Sequence, residues 1–180
     1  MNSILETDLP SLENISYHST VQIRKLLFIL SESVPFTPNI SELARKMGIS
    51  RDVLLRYLHL LEKAELIFLL RKEARGISYL AKPEKIYLHN PNISYALSAH
   101  SPDMGNLRET FLLSQLSVIH QVTYTEIGDF YIDDGYTVES GGKKKTGRQI
   151  AGIPDSFIVA DNIETGSGNR IPLWLFGLLY

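Results

Sequence analysis

Three acidic residues, Glu109, Asp129 and Glu139, carry the chemistry that this 180-residue sequence could perform. Glu109 shares a helical stripe with Leu112, Leu113 and Leu116, at steps of three, four and seven, so its carboxylate faces the domain rather than solvent. A carboxylate so placed needs a partner. Asp133-Asp134-Gly135 is a strong hairpin turn, and a three-residue loop there sets Ile132 opposite Tyr136 and Asp129 opposite Glu139. One face of the ribbon is then apolar (Phe130, Ile132, Tyr136, Val138), while the other carries Asp129, Tyr131, Thr137 and Glu139. Acids directly across a strand pair repel each other. They ask for a cation, a shared proton or a functional role. Hard oxygen ligands at this spacing suit Mg²⁺ or Mn²⁺. Such a metal activates water while a lysine, here Lys143 beyond Gly141-Gly142, steadies negative charge on a phosphate. The opposing reading is a structural network in which Lys143 neutralises the pair and no chemistry is done.

The elements that must hold these residues can be read from the surrounding pattern. A helix is expected from about Leu107 to His120. Strands are expected at Val122–Thr125, Asp129–Ile132, Tyr136–Glu139, Phe157–Ala160 and Pro172–Phe176, with a short helix between Thr146 and Ala151 that contains Gln149. A helix with Glu, strands with Asp and then Glu, a lysine close behind, then a helix and a strand follow the order of parts in a metal-dependent nuclease core. His100-Ser101-Pro102-Asp103-Met104-Gly105 is the candidate boundary. A small α/β unit is therefore expected over residues 99–180, after a different unit over residues 1–98.

The first unit reads as a helix-turn-helix. Thr20 is expected to cap a helix with the stripe Val21, Ile23, Leu26, Leu27 and Leu30, which Pro35 to Asn39 ends. Ser41 caps a short helix, Glu42–Met47, with Gly48 just past its end. Ser50 caps a longer one from Arg51 to about Ala64. Ile40, Leu43, Ala44 and Met47 face Val53, Leu54, Tyr57, Leu58 and Leu61, with Ile49 as an apolar plug in the turn. That leaves Arg51, Asp52, Leu55, Arg56, His59 and Lys63 outward, the face that would enter a major groove. Two strand-like runs, Leu66–Leu70 and Ile86–Leu88, flank a basic loop with Arg71, Lys72, Arg75 and Lys82. Together these make a winged helix whose cations could meet phosphate. The alternative is a packing or protein-interaction unit with solvated charges.

Charge distribution supports two units with different partners. Residues 19–98 hold 12 Lys+Arg against 7 Asp+Glu, while residues 99–180 hold 6 against 10. The total of −2 excludes a polycation that coats nucleic acid without regard to position. No cysteine is present, which excludes disulfides, Cys-ligated zinc, iron–sulfur clusters and thiol catalysis. No signal-peptide pattern opens the sequence and no apolar run is long enough to span a bilayer. A cytoplasmic protein without a membrane partner is expected.

Several runs resemble a known family. They are Leu43-Ala44-Arg45, Gly48-Ile49-Ser50-Arg51, Tyr57-Leu58, Leu61-Glu62-Lys63-Ala64 and Lys82-Pro83-Glu84-Lys85-Ile86-Tyr87. The second half adds Arg108-Glu109-Thr110-Phe111, Gly128-Asp129-Phe130, Glu139-Ser140-Gly141-Gly142-Lys143, Lys145-Thr146 and Ile171-Pro172-Leu173-Trp174-Leu175-Phe176-Gly177. They resemble the C-terminal region, domain of unknown function 4143, of bacterial and archaeal AAA-type ATPases. The resemblance covers essentially the whole chain. It implies an α+β architecture: a winged helix-turn-helix followed by a small α/β PD-(D/E)xK nuclease-like domain. It also implies that Glu109, Asp129 and Glu139 are the acidic (and, if active, Mg²⁺- or Mn²⁺-binding) residues, with Gln149 the polar residue of the following helix. The nuclease pattern places Lys two residues after Glu139, where Gly141 stands here, so a site without cleavage is expected and no cofactor is required. A P-loop ATPase module normally precedes such a region. Gly142-Lys143 lacks both the earlier glycine and the following Ser/Thr of a phosphate loop. The expectation is a C-terminal fragment or truncated product that meets an ATPase module in cis or trans. It would bind DNA weakly and non-specifically, or else serve as an oligomerisation or protein-interaction module. A metal-dependent DNA endonuclease is the third reading.

Overall fold

The computed structural model describes residues 3–8, 15–33, 35–72, 82–97 and 101–179. It is a mixed α+β protein with two sheets. The chain divides into two units, Met1–Leu69 with Arg75–Ser101, and Leu70–Ala74 with Pro102–Tyr180. Arg75 and the segment around residue 98 lie outside the described residues.

In the first unit a short π-helical turn, Ile4–Asp8, precedes α1 (Tyr17–Ser31), α2 (Ile40–Met47), α3 (Arg51–Lys63), β1 (Ile67–Leu70), β2 (Lys85–Leu88) and α4 (Pro91–Leu97). Helix α1 begins one turn before the expected Thr20. Ser16 caps it by accepting from the Ser19 N–H at 3.2 Å, and Thr20 is instead a buried helical residue whose hydroxyl donates to the Ser16 carbonyl at 3.3 Å. Asn39 rather than Ser41 caps α2, accepting from the Glu42 N–H at 3.1 Å. Gly48 ends it at φ +68°, a left-handed conformation in which a Cβ is disfavoured. Ser50 then caps α3 through the Val53 N–H.

The buried face of α3 is Leu54, Tyr57, Leu58, Leu60 and Leu61. Val53, expected inside, is 36% exposed, and Leu55, expected outside, packs against the core. The apolar arc is centred on Leu54, Leu58 and Leu61. At about 3.6 residues per turn, Val53 and Leu55 stand on opposite flanks of that arc, each about 100° from Leu54. These side chains join Ile23, Leu26, Leu27 and Leu30 of α1, Ile40, Leu43, Ala44 and Met47 of α2, and Ile67, Ile86 and Leu88 of the strands in one cluster. An antiparallel bridge between Phe36 and Ile86 adds a third line of backbone beside the β1–β2 sheet.

His89, just past β2, gives this unit a pH dependence. Its ring stacks on Phe68, with centroids 4.2 Å apart and planes 21° from parallel. Burial holds the imidazole below its ordinary pKa, against the opposing pull of Glu65. The unfolded chain takes up a proton near pH ~6.5, while the folded one waits for a lower pH. This contribution to stability is therefore complete above the unfolded value and is lost as pH falls through the folded one. Denaturation followed by helical circular dichroism should show stability declining as pH falls below that value, with a shallower decline in His89→Phe. Equal declines in both proteins would sink this assignment.

The second unit holds α5 (Met104–Leu116) and a five-stranded sheet in sequential order: β3 (Val122–Thr123), β4 (Phe130–Ile132), β5 (Tyr136–Gly141), β6 (Ser156–Ala160) and β7 (Arg170–Pro172). Short 3₁₀ helices occupy Arg148–Ile150 and Leu173–Leu178. The run expected as a strand over Pro172–Phe176 thus turns helical after Pro172. Strands β3 to β5 are antiparallel, whereas β5–β6 and β6–β7 are parallel. Helix α5 packs on β5 and on the last 3₁₀ helix. The segment that follows it is tied to the hairpin turn, where Asp133 Oδ1 accepts from the Gln121 N–H at 2.9 Å and Oδ2 meets His120 Nδ1 at 2.6 Å. The backbone bond from Gln121, then the one to His120, holds the Asp133 carboxyl below the usual carboxylate range. No helix among the described residues is long and apolar enough to cross a membrane.

Candidate functional site

The hairpin register is the one its turn requires: Phe130 lies opposite Val138, Tyr131 opposite Thr137 and Ile132 opposite Tyr136. Alternation from Thr137 puts Glu139 on the same sheet face as Tyr131, and the parallel pairing sets it beside Ile158 of β6. Both faces of β5 are covered, since Thr137, Val138, Glu139 and Ser140 are all buried. Glu139 is 1% exposed. A carboxylate this deep is tolerable only with a cation or a proton.

The cation is Lys145 and not the expected Lys143. Lys145 Nζ lies 2.9 Å from Glu139 Oε1, while Lys143 is exposed. Gly141 makes this reach possible. A Cβ built on residue 141 would stand 2.7 to 2.9 Å from Cδ, Cγ and Cβ of Lys145, so the lysine stem lies where a side chain at 141 would begin. The turn that carries Lys145 is braced twice. The Lys145 N–H donates to the Gly142 carbonyl at 2.9 Å. The Arg170 guanidinium on β7 donates to the carbonyls of Lys145 at 2.7 Å and Lys143 at 2.8 Å. Glu139 Oε2 is fully enclosed and has no hydrogen-bond partner among the described residues.

The other acids are arranged differently. The Asp129 N–H donates to the Val138 carbonyl at 2.8 Å, and Asp129 Oδ2 accepts from the Ser140 N–H at 2.7 Å, so this carboxylate closes the mouth of the hairpin. Glu109 is half-buried on α5, as its stripe requires, between the buried Leu107 and the buried Thr110, Leu112 and Leu113. Gln149 is exposed in the first 3₁₀ helix. Among the described residues no three His, Asp or Glu side chains approach closely enough to hold a metal ion. Glu139 has a lysine on one oxygen, and Asp129 has a backbone amide on one of its own.

The expected phosphate-binding residues separate into two groups. Arg51, Arg56 and Lys63 are exposed on α3, and His59 is half-buried with Nδ1 3.7 Å from Glu62. Arg71 and Lys72, expected on the wing, instead belong to the second unit. The Arg71 carbonyl accepts from the Tyr124 N–H at 2.7 Å. Lys72 Nζ lies 2.6 Å from Glu126 and 5.8 Å from the centre of the Tyr124 ring. That hydrogen bond from Lys72 holds the Glu126 carboxyl below its usual range.

Sequence reasoning missed Lys145, Arg170, Arg108 and Asp161. Two consecutive glycines after Glu139 signal that the chain can turn back sharply, which was the available clue to Lys145. Asp161 is brought in by the β5–β6 pairing and Arg170 by the β6–β7 pairing, neither of which leaves a local mark. Residues 1–104 match a domain family of unknown function, DUF8612. The match covers more than half of the chain, which belongs to that family, and it ends where α5 begins. No curated protein and no solved structure matches the chain.

Proposed function

We propose that this is a DNA-binding protein whose first unit acts as a winged helix and whose second is a PD-(D/E)xK nuclease-like domain that does not cleave. The observation behind it is the order of parts in the first unit: α1, the Phe36–Ile86 bridge, α2, the left-handed turn at Gly48, then α3, β1 and β2. Arg51, Arg56 and Lys63 project from α3 into solvent. Arginine and lysine on such a helix contact phosphate chiefly and fix position. With Leu55 turned toward the core, few side chains remain to read base edges, so binding is weak and indifferent to sequence. Lys72 contributes little to this face because Glu126 holds it. The pairing of Glu139 with Lys145 supports a second unit without cleavage and without a required metal. The resemblance to the C-terminal region of AAA-type ATPases extends the reading to a P-loop ATPase partner, in cis or trans, in the cytoplasm.

Fluorescence anisotropy with labelled duplex DNA at low salt tests the reading. Affinity should fall steeply with salt, and each cation removed among Arg51, Arg56 and Lys63 should lower the slope of log K against log salt by about one. Absence of binding at low salt, with self-association unchanged by those substitutions, would leave a protein-interaction module in its place. Cleavage of plasmid DNA in Mg²⁺ or Mn²⁺, lost in Glu139→Gln, would replace it with an endonuclease.

A further inference from the structure

The second unit carries a cationic corner that the ion pair at Glu139 does not use. Arg108, on the second turn of α5, donates from Nε to Asp161 Oδ2 at 2.8 Å. Asp161 is itself fixed, because its N–H donates to the Gly141 carbonyl at 2.8 Å and its Oδ1 accepts from the Asn162 N–H at 2.7 Å. The guanidinium is therefore anchored by one edge to the residue that follows β6. A Cβ built on Gly142 would stand 3.7 Å from each of Cζ, Nη1 and Nη2, so residue 142 lies over the face of the planar group. Both Nη groups remain without a protein acceptor among the described residues. Lys143 and Lys144 follow directly on Gly142 and are exposed. Arg170 fixes this turn through the Lys143 and Lys145 carbonyls.

We infer that Arg108, Lys143 and Lys144 form a phosphate-binding corner that takes the phosphodiester backbone of DNA. Arginine held at Nε presents its remaining N–H donors as a fork suited to two oxygens of one phosphate. Two exposed ammonium groups on a braced turn, with no ion-pair partner among the described residues, supply charge beside it. No acid lies between Glu139 and Asp155 in the sequence, so the tract from Gly141 to Pro154 carries four cations (Lys143, Lys144, Lys145 and Arg148) and no opposing carboxylate. Lys145 is occupied by Glu139, which leaves the phosphate to its neighbours and to Arg108. The inference stands apart from the reading of α3, because it concerns a different unit and different residues.

The test uses the full chain, with anisotropy of labelled duplex DNA over a salt series. Lys143→Gln/Lys144→Gln leaves the Arg108–Asp161 contact in place and should lower the salt slope by about two. Arg108→Gln should weaken binding further. Because that change also loosens Asp161, Arg108→Lys is measured beside it and should restore part of the slope. If Arg51→Gln/Arg56→Gln abolishes all binding while the Lys143, Lys144 and Arg108 variants bind like the parent, the corner is refuted and the α3 reading survives. The reverse pattern retains the corner and removes α3. Inorganic phosphate, titrated by NMR, separates the remaining source. Shifts at Gly142 to Lys144 from millimolar-range phosphate, with DNA binding unchanged in the variants, would mark a site for a small phosphate and overturn the assignment to DNA.

Discussion

Lys145→Met should lower the stability of the second unit by about 3 kcal/mol, the cost of leaving a buried charge without its partner. Glu139 is 1% exposed, its Oε1 has Lys145 at 2.9 Å, and its Oε2 has no hydrogen bond among the described residues. Removing the lysine therefore strands the whole carboxylate. The sequence has one tryptophan, Trp174, and it lies in this unit, so urea denaturation followed by its fluorescence reports the effect without interference from the first unit. Changing both partners, Glu139→Met with Lys145→Met, should recover most of the loss, since well-packed apolar side chains can replace a buried pair at little cost. A single variant less than about 1 kcal/mol below the parent would contradict a buried, lysine-dependent carboxylate.

Gly128→Ala should cost about 2–4 kcal/mol, from a left-handed residue with a Cβ and from overpacking together. Gly128 has φ +78°, and its added Cβ would lie 2.9 Å from the Val138 carbonyl oxygen and 3.2 Å from side-chain carbons of Ile150 and Thr137. That same carbonyl accepts the Asp129 N–H, so relief of the clash pulls open the mouth of the hairpin. Hydrogen exchange should quicken at the Ser140 amide, which donates to Asp129 Oδ2. Unchanged exchange at Ser140 and unchanged denaturation would show that the mouth tolerates a side chain.

What could be read from the residues was whatever local physics decides. The turn at Asp133-Asp134-Gly135 sets the β4–β5 register by itself. Gly48 and Ser50 mark one helix end and one helix start for the same reason, because capping acts over a few residues. Competing caps were less legible. Ser16 and Asn39 begin helices that Thr20 and Ser41 also suit, and the choice depends on how the preceding chain enters the core. Helix α4 was hidden in a short run without a strong stripe, with only Ser94 fully buried. At the site, the depth of Glu139 followed from its strand, but its partner did not. Lys143, Lys144 and Lys145 are equivalent on paper. The space above Gly141 and the bonds from Arg170 distinguish them, and the latter depend on a strand far along the chain.

The brace from Arg170 also orders events as the protein is made. Arg170 stands twenty-five residues beyond the Lys145 carbonyl it holds. Glu139, the two glycines and all three lysines are therefore made before the strand that fixes their turn. Until β7 adds to the edge of β6, Lys145 is free to sample solvent and Glu139 has no settled counter-charge. The β4–β5 hairpin takes its register from its own turn, with no residue later in the sequence needed to set it. The neutralised carboxylate thus depends on a strand made after it. A chain ending before Arg170 would lack both bonds that brace the turn behind Glu139.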